Sequence, residues 1–152
     1  MANCCCPDLN ASPQPVFGSL YGNPNQFLTP VLNTPIEFNT AGPTFGMTAD
    51  PITNSITINQ FGLYEIHYSL TDKVSNSVGT FLRYVIAING VSDFQSSTFF
   101  SNSNIGEAWF NGSNTILRTL NPNDIITIRP TGIVGNNQYI NPILIVKKIQ
   151  GL

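Results

Sequence analysis

Charge is what this chain has least of. Only 9% of its 152 residues are Asp, Glu, Lys or Arg, against roughly 25% in an ordinary soluble domain. The formal net charge is −2 and no basic run occurs, which argues against nucleic acid and against an anionic membrane as partners. Histidine occurs once, at His67. No pair of acids, Ser/His/Asp set or Cys/His set has catalytic spacing, so the chain reads as a non-enzyme without a cofactor. Repeated C-x-x-C spacing is absent and His67 is remote from the cysteines, so no metal site is expected. No apolar run approaches the roughly 20 residues of a membrane span. There is no Gly-X-Y repeat, which excludes a collagen triple helix, and no stretch of useful length has helical periodicity. The N-terminus lacks the positive region and apolar segment of a secretory signal, so the expectation is a protein made without the general export route.

Asn, Thr, Ser and Gly stand where Lys and Glu usually supply the surface. Low net charge favours association over life as a dissolved monomer. The length fits one domain with a respectable core. Residues Met1 to about Gln14 hold all three cysteines and little that could face a core; they read as a flexible connector arm (1–14), followed by a head domain (15–152). In the head, strand-like runs recur at Val16–Tyr21, Phe27–Leu32, Ile36–Phe38, Ser55–Ile58, Leu63–Thr71, Thr80–Asn89, Asp93–Phe100, Gly106–Phe110, Thr115–Leu120, Ile125–Arg129 and Ile140–Ile149. Many short strands with frequent turn signals predict an all-β sandwich.

The organising stretch is Ile56–Leu70. Ile56 and Ile58 alternate, a break falls at Asn59–Gly62, and Tyr64, Ile66, Tyr68 and Leu70 resume the alternation. This predicts two paired, half-buried strands with Gly62 at the bend. Tyr64 and Tyr68 suit a sandwich core in which each hydroxyl finds a partner. Asn89-Gly90 and Asn111-Gly112 are the strongest tight-turn signals, because both residues tolerate positive φ. Thr80–Asn89 is apolar on both faces, with Leu82, Tyr84, Ile86 and Ile88 on one and Phe81, Val85 and Ala87 on the other. Its second face needs a loop, a second subunit or a fibre neighbour to cover it.

The run I-x-I-x-x-x-G-x-Y-x-I from Ile56 to Ile66 resembles the central motif of the tumour necrosis factor and complement-type globular heads. The run P-x-x-F-N-T-x-G-x-x-F-G from Pro35 to Gly46 is similar to that of the C-terminal domain of BclA-type exosporium glycoproteins of bacterial spores. The resemblance spans about Pro15 to Ile149. It departs at Asn141-Pro142-Ile143-Leu144-Ile145, which opens the packing of the last strand to question, and in lacking a collagen-like stalk. It implies a ten-stranded jelly roll of two antiparallel sheets, assembled as a homotrimer. It also implies that Leu63, Glu65 and His67, on the strand face opposite Gly62, Tyr64, Ile66 and Tyr68, approach the subunit interface. His67 is more often hydrogen-bonded filler than a metal ligand. Asp124 resembles the acid of the family's G-D-x-V turn, with Asn123 in place of the glycine.

Adjacent cysteines pair poorly with one another, and an odd number on an arm points to bonds between chains at Cys4, Cys5 and Cys6. Pro13, Pro15, Val16 and Phe17 are candidates for docking on a neighbouring subunit, with Val16–Tyr21 also readable as simply the first strand of its own sandwich. The expectation is a structural subunit of a spore-surface fibre, located in the exosporium, in which trimers stack head to tail on an anchoring spore-surface protein. The alternatives are a tip or knob adhesin binding a host surface or glycan, and a soluble trimeric ligand. The sequons at Asn10 and Asn111 read as chance matches in a chain without a signal.

Overall fold

In Gly62–Val74 every second residue is buried and each one between is half-exposed, without a break. That strict period of two fixes one face of the strand on a core and turns the other outward. The computed structural model describes residues 14–74, 79–103 and 105–150, and among these there is no helix. In chain order the strands are β1 (Phe17–Tyr21), β2 (Thr40–Ala41), β3 (Met47–Asp50), β4 (Ser55–Ile58), β5 (Gly62–Val74), β6 (Thr80–Ile88), β7 (Val91–Asn102), β8 (Ala108–Leu120), β9 (Ile125–Val134) and β10 (Asn137–Gln150). They form two five-stranded sheets, ordered β2-β1-β10-β5-β8 and β3-β4-β9-β6-β7. Every ladder is antiparallel. The inner faces meet in one core in which Leu20, Ile56, Ile58, Tyr64, Ile66, Tyr68, Leu82, Tyr84, Ile86, Leu120, Ile126 and Ile128 are almost wholly buried. Each such aliphatic side chain stabilises the fold by about 1.5–3 kcal/mol through burial.

The expected pairing around Gly62 is corrected. β4 belongs to the second sheet and β5 to the first, so the Asn59–Gly62 link carries the chain from one sheet to the other. Alternation reports that a strand is half-buried; it does not report which neighbour shares its ladder.

Asn111-Gly112 is likewise no turn, because β8 runs straight through it opposite Leu70 and Thr71. Gly112 faces inward, and a Cβ there would meet the Phe100 ring; the glycine serves close packing. Asn89-Gly90 does turn the chain, with φ of 51° and 80° between paired Ile88 and Val91, as a two-residue hairpin requires.

Phe27–Leu32 and Ile36–Phe38 are not strands. Pro30 and Pro35 remove two ladder donors, and Asn33 has φ of 59°, so the chain meets the sheets at single points. Leu28 exchanges both backbone bonds with Tyr139. Asn33 and Ile36 donate to Pro130 O and Ile128 O, beside the part of β9 that lies beyond the two residues paired with β4.

The last strand keeps its place. One extra residue bulges from β10 between Ile140 and Ile143, where Asn141 has φ of 52°. Pro142 needs no ladder donor there, and its ring packs on the bare Cα of Gly22. The doubled apolar character of β6 is answered within the chain, since Val85 and Ala87 are fully buried. No second subunit is needed to cover them.

Candidate assembly face

Side chains directly opposite one another in a ladder point to the same side, so the registers define the outer face of the first sheet. One row runs Phe17, Lys147, Glu65, Leu117; the next runs Ser19, Ile145, His67, Thr115; a third runs Tyr21, Ile143, Ser69, Ser113. Leu63, Glu65 and His67, expected at an interface, all lie on this face and are half-buried in the single chain. Gly62, Tyr64, Ile66 and Tyr68 lie opposite, in the core. Tyr64 donates to Gln60 O at 2.7 Å. Tyr68 lies 2.8 Å from both Ser96 O and Thr98 Oγ1. Burial pushes the Tyr64 hydroxyl up and the Tyr68 hydroxyl up to about 12.

The charged pair and several polar groups on the outer face are partnered within the chain. Lys147 Nζ lies 2.8 Å from Glu65 Oε1, His67 Nδ1 lies 2.8 Å from Thr115 Oγ1, and Thr71 bonds Asn111 at 2.6 Å. The ion pair adds little to stability at this exposure. What it does is neutralise the face, so that burial against another surface would strand no lone charge. Between the pairs lie apolar groups: Leu117 is 51% exposed, and Leu63, Ile143 and Ile145 are half-buried.

At the flank of this face a groove of about 400 Å³ opens over β1, lined by Pro15, Phe17, Ser19, Tyr21, Pro43 and Ile145. Its wall forms because the Gly42–Thr44 loop folds back over β1, with Ser19 Oγ donating to Pro43 O at 3.2 Å and Gly42 pressed on the Tyr21 ring. Of the residues named for docking, Val16 is buried in its own core and Phe17 exchanges backbone bonds with Phe45. Pro15 is exposed at the rim. Pro13, Cys4, Cys5 and Cys6 lie outside the described residues. Sequence reasoning missed Leu117, Ile143 and Ile145 as parts of this face, although the registers of β8 and β10 carry them there.

Asp124 holds the turn the resemblance implied. Its Oδ2 accepts from Asn121 N and its Oδ1 from Asn89 Nδ2, each at 2.7 Å. Asn123 adopts φ of 72° in place of a glycine. Among the described residues no group of three or more His, Cys, Asp or Glu side chains is arranged to hold a metal ion.

No protein-family model and no curated protein matches this sequence. Solved structures do. The globular domain of zebrafish complement 1qA protein superposes with a TM-score of 0.66 at 17% identity, covering 90% of this chain and 99% of that one. The structure of Eiger TNF from S. frugiperda superposes with a TM-score of 0.62 at 9% identity, covering 91% and 94%. With its two five-stranded antiparallel sheets, the chain has a jelly-roll fold of the tumour necrosis factor and complement C1q type.

Proposed function

We propose that this chain is a structural subunit of a fibre or pilus-like appendage on the bacterial endospore surface. Heads associate as homotrimers through the outer face of the first sheet, and the arm (1–14) joins one layer to the next. The observation that carries this reading is an uncovered sheet face on which Glu65 and Lys147 pair within the chain and the rest is uncharged serine, threonine and apolar side chains, among them Leu117, Ile143 and Ile145. Such a surface gains about 25 cal/mol per Å² of apolar area on burial and loses no unpaired charge. The low overall charge supports the same reading. Cys4, Cys5 and Cys6 then bond between chains once mother-cell lysis exposes the fibre to oxidising surroundings. An anchoring spore-surface protein holds the base. The role is assembly without catalysis.

The purified full chain, kept with and without thiol reductant, tests this by negative-stain imaging. Filaments that weaken or shorten with reductant are the expected result. Discrete particles that never grow under oxidant would contradict it.

A second reading, the tip knob that binds a host surface or glycan, is favoured by one other feature. On the outer face of the second sheet Phe81 stacks on Phe99 at 6.0 Å, and the Arg83 guanidinium lies over Phe94 at 4.9 Å. Flat aromatic surface of this kind suits sugar rings. Binding of the non-polymerising head to a glycan, lost in Phe94→Ala, would select it.

A further inference from the structure

Among the described residues one carboxyl is buried in the core. Asp72 occupies an inward position of β5 and is 0% exposed. In the ladders it stands between Tyr139 of β10 and Phe110 of β8. Both of its carboxyl oxygens, the Tyr84 hydroxyl and Asn137 Oδ1 lack a hydrogen-bond partner. A buried carboxylate normally has several donors or a cation. Here the titratable groups that face it are phenols, Tyr139 opposite it on β10 and Tyr84 from β6, with Tyr68 of β5 lying beyond Tyr84. The adjacent cations face elsewhere, Lys73 toward Glu107 at 2.8 Å and Arg83 toward Thr131 at 2.7 Å. Among the described buried residues there is no Lys, Arg or His.

We propose that Asp72 is a proton latch: its neutral carboxylic acid closes this end of the sandwich, and its ionisation loosens the ends of β5, β6 and β10 that meet there. The neutral form carries an O–H donor and can be buried among phenols; the anion has neither donors nor a counter-ion. Burial raises the Asp72 carboxyl from 3.8 to about 7. The folded state therefore holds a proton that the unfolded chain has released, and stability falls as pH rises from about 4 to about 7. Above that window the loss is complete and flat. Outside the latch, Phe27 packs edge-on against Trp109 at 5.1 Å, and Leu28 closes a single bridge with Tyr139. These are the contacts that ionisation would open first, because they lie at the ends of β5, β8 and β10, where local opening costs least.

The test uses the full chain. Carbon-13 NMR of the Asp72 carboxyl across pH 4–9 should show a midpoint near neutrality. Over the rising part of that range the folded-to-unfolded ratio should fall by up to roughly tenfold per pH unit. The neutral isostere Asp72→Asn should remove this dependence and be the more stable form above pH 8. Amide exchange at Leu28 and Tyr139 should quicken with rising pH beyond its intrinsic rate in wild type, and not in the variant. A carboxyl that titrates below pH 5 overturns the proposal, whether freed by solvent or held ionised by a bound cation. So do parallel stability profiles for the two proteins. The NMR titration needs only wild type, so a variant that fails to fold leaves the decision intact.

Discussion

Tyr68 of β5 reaches across the sandwich to β7, where its hydroxyl lies 2.8 Å from Ser96 O. It meets β7 where the strand departs from its ladder: β6 advances from Tyr84 to Ile86 while its partners jump from Thr98 to Asp93. Ser96 Oγ fills part of that gap by accepting from Ile86 N at 2.7 Å. The two sheets are thus tied by a hydroxyl as well as by packing. Tyr68→Phe should leave Ser96 O without its donor and cost about 1–3 kcal/mol, read from urea unfolding with an unchanged slope.

Alkali should act through the same hydroxyl. Burial raises Tyr68 from 10.0 to about 12 and Tyr139 likewise to about 12. Both folded values lie above the unfolded one, so this contribution is constant below pH 10 and is lost as pH climbs toward 12. Absorbance titration of the tyrosinates should therefore coincide with unfolding, and Tyr68→Phe should shift that transition.

Gly112 offers a test of the packing account of β8. Its inward face receives the Phe100 ring and the Thr98 methyl. Gly112→Ala should force the ring aside and cost about 1–3 kcal/mol, measured by thermal melting. If the residue served only a turn, alanine would act through backbone strain without moving Phe100, which the aromatic NMR signals of Phe100 distinguish.

Association should respond to charge on one face only. Ile145 is half-buried beside His67, where a glutamate can reach water in the monomer and cannot in an assembled trimer. Ile145→Glu should keep the fold and weaken association by at least a hundredfold, because a lone buried charge costs about 3–5 kcal/mol. Val91→Glu, at the 72% exposed tip of the β6–β7 hairpin, should leave association unchanged. Sedimentation of the two variants compares them directly.

How far the sequence could be read depended on which force placed each residue. Ser55–Ile58 was legible to the residue, and Asn89-Gly90 likewise, because alternation and positive φ are local properties. The partners of β4 and β5 were not, since both sheets present the same alternation to one shared core. Met47–Asp50 escaped notice because the edge strand β3 is hydrogen-bonded to β4 alone. Asn111-Gly112 misled because the need of the Phe100 ring for space is a property of the facing sheet. Asp72 was one position away from being found. The alternation from Gly62 carries on to Val74, and ending the strand at Thr71 hid an acid in the core. On the candidate assembly face Leu63, Glu65 and His67 could be grouped from one strand, but Leu117 and Ile145 needed the registers.

The most direct measurement is sedimentation equilibrium on residues 15–152 without the arm, alongside imaging of the same sample. Trimers that stay soluble and never lengthen are what a sheet-face assembly with a separate arm connector predicts. A protein that remains a monomer at every concentration, or that still builds filaments without residues 1–14, would contradict it.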